Sequence, residues 1–198
     1  MQIRVVIADD HLPVLASVGA AVSATGAKIV AKARSPDELF HALREHACDL
    51  LVCDYAMPID GQVDGIAMFD AVRMRWPDLP VVVLTSMSNG VVLRALLELG
   101  VRGLIDKLAP LPELAGTIEA VLRGDTVVSP TFSEAIAAYD AHLDDPLLKN
   151  EIARMFERGR SCGDIATLLR IPESAVERHR LDAGVADPLA RSSGRLGP

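Results

Sequence analysis

The sequence predicts an α/β fold, a doubly wound parallel sheet with helices on both faces, followed by a small all-α domain. Three observations predict it. Four short apolar runs recur in the first 107 residues, Val5–Asp10, Leu50–Asp54, Val81–Thr85 and Val101–Lys107, which suits strands buried on both faces of a sheet. Amphipathic helical segments separate them, as βα units require. Each run ends in a reactive polar group, and in an open parallel sheet the strand ends gather at one edge, where ligands bind.

The elements follow in order. After the first strand, a helical rhythm runs from His11 to about Thr25 and Gly26 closes it; a second strand spans 27–34. Ser35-Pro36-Asp37-Glu38 starts a helix over 37–46, with a Ser cap, Pro at the first helical position and an acid three residues after the cap. The strand ending at Asp54 leads through a loop over 55–63 to a helix over 64–75 and a turn at Trp76-Pro77-Asp78. The strand ending at Thr85 leads to a helix over 89–99, and the strand 102–106 leads through Lys107 to a helix over 111–123. Five β/α repeats with connections of ordinary length make a five-stranded domain over residues 1–124. Residues 125–146 read as a linker, with a helix over 133–143. Helical blocks over 147–158, 162–169 and 172–182, parted by Gly159 and Ile171-Pro172, suit a helix-turn-helix. That domain is drawn over 147–190, and Ser/Gly-rich 191–198 is read as a flexible tail.

Composition narrows the function classes. Half of the 198 residues are hydrophobic but only 4% are aromatic, so the core is to be built from Val, Leu, Ile and Ala. No apolar stretch approaches the roughly 20 residues of a membrane span. Met1-Gln2-Ile3-Arg4 enters a strand without a signal-peptide layout, and the chain reads as soluble and cytoplasmic. Cys48, Cys53 and Cys162 are odd in number and match no metal-ligand spacing; Cys53 reads as a core residue. The net charge of −7 is uneven, with 11 Lys and Arg against 19 Asp and Glu in residues 1–144 and 9 against 8 in 145–198. That near-neutral tail falls short of a polybasic nucleic-acid patch.

Asp54 closes one strand, and Asp9 and Asp10 arrive from the adjacent strand end. Carboxylates brought that close raise one another's pKa unless a cation sits among them, and an oxygen-preferring ion such as Mg²⁺ resolves the repulsion. Asp54 can then take a phosphoryl group as a nucleophile, while the cation, Lys107 and the Thr85 hydroxyl stabilise its charge. Singly, each of these is a turn residue, a cap or a solvated charge. One at each of four strand ends, in this order, is a site. His11 reads as the start of the first helix rather than as a catalytic residue, and Asp60 and Asp64 read as loop and cap residues.

Over residues 3–124 the chain resembles the receiver domain of two-component response regulators. Receivers carry an acidic pair after the first strand, a phosphoacceptor Asp after the third, Thr or Ser after the fourth and Lys after the fifth; here these are Asp9-Asp10, Asp54, Thr85 and Lys107. Asp54-Tyr55-Ala56-Met57-Pro58 also matches the Asp-x-x-Met-Pro loop. The resemblance implies a flavodoxin-like (βα)5 fold and a phosphoacceptor regulator rather than an enzyme. It implies Mg²⁺ on Asp9, Asp10, Asp54 and the Ala56 backbone carbonyl, a switch at Thr85 and position 104, a homodimer, and a sensor histidine kinase or phosphotransfer protein as donor. Departures are specific. The loop Ile59–Val63 pushes the usual Asp-Gly pair out to Asp64-Gly65, similar to the capsule-synthesis (Rcs-type) regulators. Leu104 replaces the aromatic switch residue, and Leu108 a frequent Pro. Neither Ala56 nor Met87 can orient an attacking water, which implies slow self-dephosphorylation; Ala56 also stands where an acid phosphatase would place its second acid.

The C-terminal block resembles the LuxR/NarL-type helix-turn-helix. Leu148, Ile152, Met155 and Phe156 form an apolar stripe, and Ser161 caps the next helix with Asp164 completing the box. Ile171 and Val176 pin a recognition helix whose outward face offers Ser174, Glu177, Arg178 and Arg180 to a DNA major groove and its phosphates. Glu173 and Glu177 work against phosphate binding. Gly184 comes early and Pro188 follows, so the fourth helix reads as missing or curtailed. Two functions stay open: a phosphorylation-controlled transcriptional regulator that binds DNA, or a receiver whose degenerate helical tail binds another protein.

Overall fold

The structure, a computed structural model, describes residues 2–184 except Asp60, Val63, Asp145 and Arg170, and leaves out the side chains of Leu147 and Glu151. Two compact units divide the chain, Met1–Ile136 and Ala137–Pro198.

The first unit is a parallel sheet of β1 (Arg4–Ala8), β2 (Lys28–Ala33), β3 (Leu50–Asp54), β4 (Val81–Thr85), β5 (Gly103–Asp106) and β6 (Val127–Val128). The strand order is β2-β1-β3-β4-β5-β6. Alternation along the strands explains the continuous apolar runs. Val5, Ile7, Leu50, Val52, Val82, Leu84 and Ile105 pack against α1 (Leu12–Ala24) and α5 (Leu111–Leu122). Val6, Ala8, Leu51, Cys53, Val81, Val83 and Leu104 pack on the other face against α2 (Pro36–Glu45), α3 (Gly65–Arg75) and α4 (Gly90–Glu98). A strand covered on both sides has no solvent face to make polar. The expected flavodoxin-like, doubly wound sheet is present. No helix among the described residues is long and apolar enough to cross a membrane.

Register sets the functional edge. Ala8 pairs with Cys53 and Cys53 with Val83, so Asp9 and Asp54 leave the sheet side by side. Thr85 pairs with Asp106, which puts Lys107 one residue further along. The predicted helix boundaries hold to within one residue over α2 to α5, and Ser35 caps α2, its hydroxyl accepting from Glu38 N–H at 3.1 Å.

The sixth strand was not expected. Val127 and Val128 pair with Gly103 and Leu104, and a two-residue strand has no periodicity to detect. It leads into α6 (Pro130–Leu143), which begins three residues before the expected helix start. The earlier turn carries Phe132, 1% exposed, into the core that holds Leu104. Ser129 fastens this joint, donating its hydroxyl to Glu113 at 2.7 Å while its N–H bonds the Leu104 carbonyl at 2.8 Å.

In the second unit, α7 (Pro146–Glu157), α8 (Cys162–Leu169) and α9 (Glu173–Asp182) enclose Ile152, Phe156, Ile165, Ile171 and Val176. The capping box at Ser161 is reciprocal: its hydroxyl accepts from Asp164 N–H at 3.1 Å, and its own N–H donates to Asp164 at 3.3 Å. The expectations for Pro188 and for 191–198 lie outside the described residues.

Two substitutions test this packing. A Cβ on Gly103 would sit 2.8 Å from Val82 Cγ2 and 3.2 Å from Thr117 Cγ2, between a strand and a helix that are both covered. Gly103→Ala is therefore expected to cost about 1–3 kcal/mol in urea unfolding; an unchanged midpoint contradicts the packing. At the sheet's opposite end, Arg4 grips Asp49 with two side-chain bonds of 2.7 and 2.9 Å, holding its carboxyl at about 2. Because the folded value is depressed, this stabilisation is complete above the unfolded carboxylate range and fades as pH falls from about 4 toward 2. Asp49→Asn is expected to lose about 1 kcal/mol at neutral pH, allowing for solvent screening, and to show a shallower acid limb; an acid limb as steep as wild type contradicts it.

Candidate functional site

One local device places the reactive groups. At four strand ends a side-chain oxygen accepts from the backbone N–H two residues on: Asp9 from His11 at 2.9 Å, Asp54 from Ala56 at 3.3 Å, Thr85 from Met87 at 3.0 Å and Asp106 from Leu108 at 2.9 Å. Asp, Asn, Ser and Thr make such turns readily. The turn residue and the candidate functional residue are thus the same residue at Asp9, Asp54 and Thr85. The turns turn the chain from strand toward helix and leave one carboxylate oxygen of Asp9 and of Asp54 for the pocket.

Lys107 fills that position. Its Nζ lies 2.6 Å from Asp54 Oδ2 and 2.8 Å from Asp9 Oδ2. Backbone holds it there, its N–H donating to the Thr85 carbonyl at 3.0 Å. Asp9 is 1% exposed and Asp54 5%, so their charges are shielded from water. Burial pushes the Asp54 carboxyl above the usual carboxylate range; Lys107 opposes this and Asp9 adds to it. Burial also works against the Lys107 ammonium, yet its carboxylate partners Asp54 and Asp9 hold it above the ordinary lysine value.

Asp10 and His11 complete the rim. Ligand atoms of Asp9, Asp10, His11 and Asp54 all lie within 4.8 Å of one another. Three carboxylates face one ammonium, an excess of two negative charges that a single divalent cation would cancel. Asp9 Oδ2 is buried and has the Lys107 ammonium as its partner at 2.8 Å, which leaves the exposed edge of the acidic cluster for an ion. The donor set is oxygen-rich and half-open, which suits a hard divalent ion that keeps waters.

The remaining predicted residues are placed as follows. Ala56 stands beside Asp54 with its N–H on Oδ1. Thr85 is buried at the end of β4, and Leu104 is fully buried within β5, its side chain in the core rather than at the pocket. Asp64 occupies the position before α3 but makes no side-chain cap bond; Asp60 lies outside the described residues. Gly65 follows with φ 61°, and a Cβ there would stand 3.2 Å from the Tyr55 hydroxyl. His11 is the residue that the sequence reading left out of the pocket. It holds the cap position of α1 as expected, but its Nδ1 lies 2.7 Å from Asp10 Oδ1. Adjacency to the acidic pair was the available signal. Cys53 is buried and its thiol pushed up by burial, as a core cysteine should be.

On α9, Ser174 and Arg178 are exposed. Arg180 is not simply offered outward, since its Nε bonds Glu177 at 2.8 Å and its side chain is 14% exposed. Arg180, with the Cys162 thiol donating to the same carboxylate, holds Glu177 down at about 2. The four residues expected to form one face therefore split into an exposed pair and an ion pair between neighbouring turns of the helix, its Glu177 side chain still 41% exposed.

The model of the response regulator receiver domain matches residues 5–119. The chain belongs to the response regulator receiver family. It is similar to the methanol utilization control regulatory protein MoxX of Paracoccus denitrificans, 30% identical over 170 residues, covering 83% of this chain and 76% of that protein. It is also similar to the transcriptional regulatory protein RcsB of Escherichia coli strain K12, 26% identical over 171 residues, covering 84% and 79%. Among solved structures, RcsB from Salmonella enterica serovar Typhimurium bound to promoter P1flhDC with phosphomimetic BeF3− shares the fold at a TM-score of 0.67 and 24% identity. The alignment covers 92% of this chain and 90% of that one.

Lys107 is what draws the Asp54 carboxyl back toward its ordinary value. Lys107→Met is expected to move that carboxyl further up in a carbon-13 NMR titration without metal; an unmoved Asp54 contradicts the pairing.

Proposed function

We propose that this receiver accepts a phosphoryl group on Asp54 from a sensor histidine kinase or phosphotransfer protein, in the cytoplasm, and so controls transcription through its C-terminal helices. The observation that carries this is the Lys107 ammonium held between Asp54 and Asp9, beside an uncancelled acidic excess. Asp9, Asp10, Asp54 and the Ala56 carbonyl would hold Mg²⁺, which when bound offsets carboxylate and phosphoryl charge. An Asp54 oxygen attacks the phosphorus in line, and the donor's imidazole nitrogen leaves with the electron pair of the broken P–N bond. Exposed Leu12 and Leu108, each next to a pocket residue, favour a protein donor.

The new group brings a charge of about −2. Lys107 transfers its bonds to the phosphoryl oxygens, and Thr85 turns its hydroxyl toward them. Thr85 ends the strand paired with β5 and Lys107 directly follows β5, whose Leu104 carbonyl and side chain are tied to β6 and to the core holding Phe132. With Leu104 unable to act as an aromatic switch, Phe132 supplies the aromatic bulk next to that strand. Movement of Thr85 and Lys107 then reaches the first turn of α6, a two-state element biased by charge, and sets dimerisation or the freedom of the helix-turn-helix.

DNA contact falls to Ser174 and Arg178, with Arg180 steadied by Glu177. That MoxX and RcsB are named as regulators, the latter also in a promoter complex, favours this over protein binding alone. The ion pair that occupies Arg180 favours the second reading, in which the tail binds another protein.

Acetyl phosphate with Mg²⁺ is expected to add one phosphate to wild type and none to Asp54→Asn by intact-mass spectrometry; equal labelling of both contradicts the site. The adduct should persist for minutes or longer, since Ala56 and Met87 cannot orient water, and decay within seconds contradicts that. Phosphorylated protein should shift promoter fragments with an affinity that falls as salt rises; no shift, or one without a salt slope, selects protein binding instead.

A further inference from the structure

We propose that the His11 imidazole is a direct ligand of the pocket's cation, giving an otherwise all-oxygen site one nitrogen donor. Relative to carboxylates alone, the pocket then favours Mn²⁺ and later transition ions over Mg²⁺. This rests on the reading of the acidic pocket as a cation site.

Geometry brings the ring to the ion's position. His11 Nδ1 lies 2.7 Å from Asp10 Oδ1 and 3.5 Å from Asp9 Oδ1, and the whole four-residue ligand set spans no more than 4.8 Å. Around one octahedral ion with bonds of about 2.1 Å, ligand atoms stand roughly 3–4 Å apart. Closing the widest pair by at most about 0.8 Å, and parting His11 Nδ1 from Asp10 Oδ1 by about 0.3 Å as the ion replaces their shared proton, puts all four on a single ion.

The backbone keeps the ring there. His11 N–H is held by Asp9 at 2.9 Å, so its Cα is fixed against the acidic pair. The residue occupies the cap position of α1 with extended φ −94° and ψ 112°, yet its side chain makes no capping bond. The ring is thus spent on the carboxylates, not on the helix. It is 66% exposed, on the open side of a pocket whose inner wall is Asp9, Asp54 and Lys107, where an ion enters from water.

Charge and donor chemistry agree. The excess of two negative charges already matches a divalent ion, and a neutral imidazole adds a donor without upsetting that balance. Mg²⁺ gains little from nitrogen, whereas affinity of a mixed nitrogen and oxygen site rises along the first transition row.

The test uses Mn²⁺ as probe on the full chain, by pulsed EPR. Wild type is expected to show the ¹⁴N modulation of a directly bound imidazole. His11→Ala should still bind Mn²⁺ through its carboxylates, without that modulation and roughly tenfold more weakly, while its Mg²⁺ affinity changes by about twofold or less. Mn²⁺ bound to wild type with no ¹⁴N modulation, or modulation that survives in His11→Ala, overturns the proposal and makes His11 only a hydrogen-bonding partner of Asp10. If wild type binds no Mn²⁺ at all, or binds it as well as Asp9→Asn does, the cation-site reading itself falls.

Discussion

A half-buried ammonium between two buried carboxylates is the constraint on which the rest depends. Lys107 reaches Asp54 and Asp9 only because Ala8 pairs with Cys53 and Thr85 with Asp106; slipping any strand by one residue would turn these side chains to the opposite face. Three charges taken out of water are costly unless they satisfy one another. The layers on both faces of the sheet provide the shielding, and the shielding makes the pocket sensitive to charge. A phosphoryl group on Asp54 removes one partner of the clamp and installs a stronger one, so the lysine and the strand carrying it have reason to move.

Much of this was legible because it is local. Continuous apolar runs announced strands covered on both faces, and Ser35 and Ser161 announced helix starts through caps that depend on three or four residues. The pocket was legible for a related reason: the residue types that make a two-residue turn at a strand end also supply the carboxylates and the hydroxyl. Weighing turn against site as rivals understated the matter, since Asp9, Asp54 and Thr85 do both. Distances to Lys107 lay beyond reach, because they depend on register between strands far apart in sequence.

What escaped the sequence was decided by tertiary packing. Val127 and Val128 become a strand only by pairing with β5, and α6 starts early because Phe132 finds a place in the core on that side. The ring of His11 depends on how the turn after β1 directs it, which helix rhythm does not report. Glu177 and Arg180, three residues apart on one helix, were close enough to pair, but placing them both on an outward face ignored that attraction. These residues change the functional picture. They tie the strand carrying Leu104 to the helix that follows the receiver, and of the four α9 residues expected to face DNA they leave Ser174 and Arg178 exposed.

The most direct measurement is a crystal structure of the protein grown with Mg²⁺ and beryllofluoride. The account predicts beryllium bonded to an Asp54 oxygen, the cation among Asp9, Asp10 and Asp54, and both Lys107 Nζ and the Thr85 hydroxyl on fluoride. A pocket without beryllofluoride, or one in which Lys107 points away from it, would contradict the claim that this lysine reads the charge on Asp54.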